Sequence, residues 1–399
     1  MKYNIYEIQI CLDSLTIFRN LLKLPVIKKL KELIAGITES TAAVRLYSDF
    51  VAELYHNCDN FSTYIYDFML NDDNVYIRAK SKGLVVDKVI EDAFQNELKI
   101  LQGLSRLRSD EFKKLIKYDG FLPEWNTTEY DFASAYAGRV RNISRYGFGM
   151  FAKYHVFSVS DDADIIPVKY SDPISLSSFE AYNFERDFVL KNTQKLLSGG
   201  FAANVLLYGD AGTGKSSTVK AIVNEYQNWG LRLIEVKKNQ LFMLPEIIEK
   251  LSDNPLKFII FIDDLSFIKN DDNFMALKAQ LEGSVSVIAD NTVIYATSNR
   301  KHLVRESLSD RDGDDIHLND TLQEIMSLVA RFGLVVNFQK PEKDVYLKIV
   351  QRIAADHGLE PDDRLLLDAE AYAIRNNGRS PRTAKQFIYQ YLSFAPLKL

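Results

Sequence analysis

Eight consecutive residues, Gly209-Asp210-Ala211-Gly212-Thr213-Gly214-Lys215-Ser216, constrain this chain more than any other stretch. They fit the spacing G-x-x-x-x-G-K-[ST], with an apolar run before them and a helical pattern after them. Glycines at these positions let backbone N–H groups converge on phosphate oxygens, and the start of the helix adds positive potential. In such a loop Lys215 reaches the β- and γ-phosphates and the Ser216 hydroxyl ligates Mg²⁺. Residues 209–216, with Ser217 following, are therefore expected to bind ATP and Mg²⁺. The competing reading is a glycine-rich turn that matches by chance, and the strand-loop-helix setting weighs against it.

The pattern around the loop suits a parallel sheet. From about Ser175, short β-rich runs alternate with helical ones. The expected strands are Asn204–Tyr208, Leu231–Lys237, Phe258–Asp263, Thr292–Ser298 and Leu334–Phe338. The expected helices are Phe184–Leu197, Lys215–Asn228, Leu244–Leu251 and Phe274–Leu281. This alternation implies βαβ units. Three helical patterns after Pro341 read as a small bundle. The first 160 residues carry helical periodicity instead, as in Val44, Tyr47, Phe50, Val51, Leu54 and Tyr55, or in Val86, Ile90, Phe94, Leu98 and Leu101. Ser158–Pro173, rich in Ser, Asp and Pro, reads as a linker. The expected fold is α/β, with an N-terminal mainly α-helical domain at 1–160, a linker at 161–174, a nucleotide-binding domain at 175–340 and a helical lid at 341–399.

A second signal lies at the end of the most apolar strand, Phe258-Ile259-Ile260-Phe261-Ile262-Asp263-Asp264. An uninterrupted apolar run suits a strand buried on both faces, and ligands of such sheets sit beyond the strands' C-terminal ends. There Asp263 would hold Mg²⁺, and Asp264 would orient and deprotonate an attacking water. A solvated Asp-Asp turn is the bland alternative.

With these motifs in order, the chain resembles AAA+ ATPases. Val293-Ile294-Tyr295-Ala296-Thr297-Ser298-Asn299 is similar to the strand ending in that family's sensor 1 residue, which implies that Asn299 bonds the γ-phosphate or the lytic water. Ala330-Arg331-Phe332-Gly333-Leu334 resembles an arginine-finger segment, so Arg331, with Arg300 and Arg311 as rivals, would enter a neighbouring subunit's site. Gly378-Arg379-Ser380-Pro381-Arg382-Thr383 resembles the sensor 2 turn: Ser380 suits an N-cap, Pro381 the first helical position, and Arg382 would face the phosphates. Phe179-Glu180-Ala181-Tyr182-Asn183 resembles the segment flanking adenine, with Tyr182 the candidate base contact. Residues 175–395 as a whole look like an uncharacterised bacterial AAA+ family labelled a domain of unknown function. One departure is Asp263-Asp264, where many relatives have Asp-Glu; it implies slow or assembly-dependent turnover.

Composition narrows the partners. Net charge is −5 with 26% charged residues, so bulk charge does not hold this chain on nucleic acid. Cys11 and Cys58 are the two cysteines, which argues against a disulfide framework or a zinc cage. Nothing at the N-terminus reads as a signal peptide, and the apolar runs are too short to span a bilayer, so a cytoplasmic protein without a membrane partner is expected. The five histidines show no ligand spacing. The acidic loop Ser309–Asp315 lacks calcium-loop spacing. Arg139, Arg141 and Arg145 with Tyr136 and Tyr146, extended by Lys113, Lys114 and Lys117, could face nucleic acid, against the alternative of a solvated helix face. Three functions stay open: an ATPase that self-associates into a ring or filament and remodels a macromolecule; a slowly hydrolysing switch or scaffold; and a DNA-associated helicase-loader or initiator-like ATPase.

Overall fold

The computed structural model describes residues 5–38, 40–265, 272–282, 290–299, 327–376 and 378–394. The chain divides into two compact units, Met1–Lys153 and Tyr154–Leu399.

The first unit is built from helices, among them Pro25–Gly36, Ser40–Tyr55, Phe61–Asn71, Lys88–Leu104 and Phe132–Arg141. Its core is unusually aromatic. Trp125 is ringed by Tyr47, Phe50, Phe61 and Phe112, with ring centroids 5.1–6.5 Å away, and its indole N–H donates to Leu107 O at 2.9 Å. Phe94 stacks on Tyr76 and packs against Phe18 and Tyr136. Glu97, 5% exposed, closes the N-terminal turn. Its carboxylate accepts from Thr16 N and Oγ1, from Ile17 N, and from Phe18 N at 2.5–3.0 Å. Those donors lead into the 3₁₀ turn Arg19–Lys23 and have no helical partners of their own.

Two members of the basic-aromatic face, Tyr136 and Arg139, turn inward. Tyr136 is 3% exposed in the Phe94 cluster. Arg139 donates through Nε to Leu70 O at 2.9 Å and also bonds the Asn71 side chain, while its guanidinium lies over Tyr146. Both residues serve the unit's own packing, which leaves Tyr146, 41% exposed with Arg145 over its ring, and Arg141 as the outward part of that face.

The second unit carries a seven-stranded sheet in the order β2-β1-β4-β5-β6-β3-β7. Its strands are β1 (Val156–Val159), β2 (Ile165–Pro167), β3 (Val205–Gly209), β4 (Leu231–Glu235), β5 (Lys257–Ile262), β6 (Thr292–Ser298) and β7 (Leu334–Phe338). All neighbours are parallel except β1 and β2. β5 and β6 are buried along nearly their whole length, as central strands covered on both faces must be. The stretch read as a linker instead contributes an antiparallel edge pair. These strands have four and three residues and interleave with Ser and Asp, too little apolar pattern to announce a strand.

Asn204 fixes the register of the phosphate-loop strand: its main-chain oxygen accepts from Leu334 N and its side-chain oxygen from Ile294 N. Beneath the sheet, the buried Tyr295 hydroxyl joins Asn192 and Thr193 of the helix Asn183–Leu197. The C-terminal helices Lys343–Asp356, Asp363–Arg375 and Pro381–Phe394 form a bundle around Tyr346, Ala354, Ala369, Ala373 and Ile388. Among the described residues, no helix is long and apolar enough to cross a membrane.

Replacing Glu97 by Ala should destabilise the first unit by roughly 2–4 kcal/mol, because several buried donors lose their acceptor at once. The check is the urea midpoint reported by Trp125 fluorescence in a Trp229→Phe background.

Candidate nucleotide site

Two glycines bring the walls of the site together. At Gly209 φ is +131°, and a Cβ there would lie 2.2 Å from Phe338 O, so only glycine lets β3 end against β7. At Gly212 φ is +79°, and a Cβ would meet Arg382 Cβ at 2.9 Å and Ser380 Oγ at 3.0 Å. The loop therefore touches the last lid helix directly, and Arg382 N donates to Gly212 O at 3.2 Å. Ser380 does cap that helix: its Oγ accepts from Thr383 N at 3.1 Å, with Pro381 at the first helical position. On the other flank, the Asp210 carboxylate accepts from Lys340 N at 2.9 Å.

Between loop, sheet and lid lies a cavity of about 650 Å³. Lys215, Ser216, Ser217, Asp263, Asp264 and Asn299 line one part of it, and Gly212, Thr213, Gly214, Tyr182 and Arg382 line it too. Gly209, Asp210 and Ala211 form the loop's entry. Lys215, 5% exposed, donates to Gly209 O, Asp210 O and Asn299 Oδ1 at 2.7–3.0 Å. Burial holds its ammonium below the usual lysine range, against the opposing pull of Asp210, Asp263 and Asp264.

The polar groups form one connected network. Asn299 Nδ2 donates to Asp264 Oδ1 at 2.7 Å while its Oδ1 accepts from Lys215. Since lysine only donates and carboxylate only accepts, the amide has one orientation available. Asp263 Oδ1 accepts from Ser216 Oγ at 2.6 Å, from Thr297 Oγ1 at 2.5 Å and from Asp264 N at 3.2 Å. Asp264 N also donates to Thr297 Oγ1 at 2.9 Å, which braces Asp264 in a left-handed conformation with φ +52°. Thr297 was missed as a site residue. Its only trace in the sequence is a hydroxyl two positions before Asn299, at a strand end.

Tyr182 lines the cavity, but its hydroxyl donates to Gln339 O at 2.7 Å, and burial pushes its pKa up. Beside it, Arg186 lies with its guanidinium 4.6 Å from the Phe179 ring centroid. Sequence reading placed Phe179 in the segment flanking adenine and passed over Arg186. Arg331 is not brought into this cavity. It stands in the helical turn 327–331 and donates to Ser327 O at 2.7 Å. In the β3–β7 register Leu334 pairs with Val205 and Phe338 with Gly209. Arg331 thus precedes the strand end farthest from the loop, by roughly 13 Å along the strands. Arg300, Arg311 and the acidic loop 309–315 lie outside the described residues.

The donor set fits a small hard cation only in part. Among the described residues no group of three or more His, Cys, Asp or Glu could cage a metal. A hydroxyl and one carboxylate suit Mg²⁺, which keeps waters and takes further oxygens from a nucleotide.

A family model described as "Protein of unknown function (DUF815)" matches residues 152–394. Among solved structures, the Thermotoga maritima RuvB Holliday junction branch migration motor is similar at 17% identity, with a TM-score of 0.38, covering 55% of this chain and 65% of that chain. A DNA replication initiation factor is similar at 17% identity, with a TM-score of 0.38, covering 56% and 66%. The chain thus spans somewhat less than two thirds of the length of these structures. No curated protein matches it. A phosphate-loop strand set between β6 and β7, a tandem aspartate ending β5 and a helical lid against the loop make the second unit an AAA+ fold, and with the family model matching residues 152–394, this chain belongs to the DUF815 family.

Proposed function

We propose that this AAA+ protein binds ATP with Mg²⁺ and hydrolyses it. The observation that carries the reading is the single network joining Lys215, Asn299, Asp264, Thr297, Asp263 and Ser216, drawn from three separate segments onto one cavity. Mg²⁺, held by Ser216 and Asp263, would neutralise charge on the β- and γ-phosphate oxygens. Lys215 exchanges its carbonyl partners for those phosphate oxygens. Asp264 orients a water for in-line attack on the γ-phosphorus and takes its proton, and the β–γ bridging oxygen leaves with ADP. Among the described residues Asp264 Oδ2 has no donor, so it can accept from that water. Asn299 holds the Asp264 carboxylate in place and reaches the γ-phosphate or the water. Arg382, beside Gly212, faces the phosphates from the lid.

The reading extends to self-association. Arg331 precedes the far end of its own phosphate-loop sheet, so as a finger it would serve a second copy in a ring or filament. Turnover would then remodel a macromolecular partner, for which the helical first unit, proposed as a domain spanning 1–160, is the candidate handle. A slow switch is the second reading. It is favoured by the short Asp264 side chain, one methylene less than glutamate, on a left-handed backbone. The initiator-like reading keeps no support from Tyr136 and Arg139, and salt-sensitive DNA binding in the presence of ATP would revive it.

Asp264→Asn should keep ATP affinity and lower the steady-state rate by roughly 10²–10⁴-fold, and Lys215→Ala should lose ATP binding. Full ATPase rates in both variants would end the hydrolytic reading. The wild-type specific rate should climb with protein concentration. A flat, near-zero rate with intact ATP binding would select the switch. Arg331→Ala should bind ATP yet fail to hydrolyse it, and mixing it with Lys215→Ala should restore part of the rate; absence of rescue would remove Arg331 as a trans residue.

A further inference from the structure

Arg186 is a buried cation that makes no salt bridge among the described residues, with the neighbouring Glu185 carboxylate acting on it through its field alone. It lies one turn into the helix Asn183–Leu197 and is 5% exposed. Its guanidinium donates from Nη2 to the Asn183 side-chain oxygen at 2.7 Å and lies over the face of Phe179. Among the described residues no carboxylate forms an ion pair with it. Burial lowers its pKa to about 10, so it remains charged at neutral pH. A guanidinium carries five N–H donors and no acceptor, and one bond to Asn183 leaves most of that capacity unused. Burying such a group without a carboxylate is unfavourable unless something else meets its donors.

The cavity supplies the setting. Arg186 lines it together with Phe179, Ala181 and Tyr182, and with Ile349 and Ile353 of the lid. The Phe179 ring reaches the phosphate loop, since a Cβ on Gly214 would lie 3.9 Å from its Cε1. With phosphates on residues 212–216, a nucleoside would extend past Phe179 between this cation and a lid wall on which Ile349 and Ile353 alternate with Arg352, Asp356 and His357. What the cation can meet there is an acceptor on the edge of the base. The N7 nitrogen is an acceptor common to adenine and guanine, and pyrimidines lack it.

We propose that Arg186 reads the base of the bound nucleotide by donating to N7, which makes the site selective for purine nucleoside triphosphates over pyrimidine ones. The inference rests on the nucleotide reading above. Guanine adds O6 beside N7 as a second acceptor, so this contact does not reject GTP.

Equilibrium binding by calorimetry on the full chain with Mg²⁺ tests it, using ATP, 7-deaza-ATP and CTP. Wild type should bind 7-deaza-ATP and CTP roughly 10-fold or more weakly than ATP, as loss of one charge-assisted hydrogen bond implies. R186M keeps the apolar stem and should bind ATP and 7-deaza-ATP equally. Equal affinity of wild type for ATP and 7-deaza-ATP overturns the proposal while leaving nucleotide binding intact, as does discrimination that persists in R186M. No binding of any nucleotide by wild type sinks the nucleotide reading itself. The wild-type comparison needs no substitution, so a poorly folding R186M does not rescue the idea.

Discussion

A buried ammonium has to be met by oxygens, and around Lys215 that requirement organises the second unit. Its partners are two carbonyls of its own loop and the amide of Asn299 at the end of β6. Through Asn299 the demand passes to Asp264, and through Thr297 to Asp263 and Ser216. Leaving any member unpaired in a half-buried site costs about 1–3 kcal/mol. The loop and the ends of β5 and β6 are therefore held in register by the chemistry of one side chain as much as by the sheet.

The sheet order makes this closure geometrically available. β6 lies between β3 and β5, so the residues that follow it emerge between the phosphate loop and the tandem aspartate. A side chain at that point can reach both, and an amide, with its acceptor and donor on separate atoms, can accept from lysine and donate to carboxylate simultaneously. The two glycine approaches serve the same end. Gly209 lets β3 finish against the Phe338 carbonyl, and Gly212 lets the lid's last helix seat on the loop. The lid is thus a wall of the site, in hydrogen-bonded contact with the loop.

Most of this framework was legible because the signals are local. The phosphate loop is a contiguous motif, and β5 and β6 are apolar throughout because both faces are covered. Ser380 and Pro381 announce a helix start by cap chemistry alone. What the sequence hid is non-local or faint. β1 and β2 take their stability from pairing beside β4, not from their own composition. Tyr136 and Arg139 read as a basic-aromatic surface because periodicity does not say which helix face turns inward. Thr297 and Arg186 are ordinary residue types, and only the fold gives them neighbours that make them informative. Glu97 acts across about 80 residues of chain, beyond the reach of any spacing argument.

The tandem aspartate is where local reading and geometry bear on each other most closely. A second aspartate instead of glutamate shortens the reach of the proposed base by one methylene, which on its own argues for weak chemistry. The backbone at Asp264 answers part of that shortfall. Its left-handed conformation, held by Thr297, redirects the side chain off the strand axis toward Asn299 and the cavity. The same contact would couple the proposed base to a bound nucleotide. A phosphate that draws Lys215 away would strip Asn299 Oδ1 of its donor, and the amide would then be free to turn toward the phosphate or a water. Asp264 would lose its clamp at the moment the substrate arrives. A site wired in this way favours a base that is restrained until the γ-phosphate is present, which is the behaviour expected of an ATPase whose turnover is regulated rather than fast.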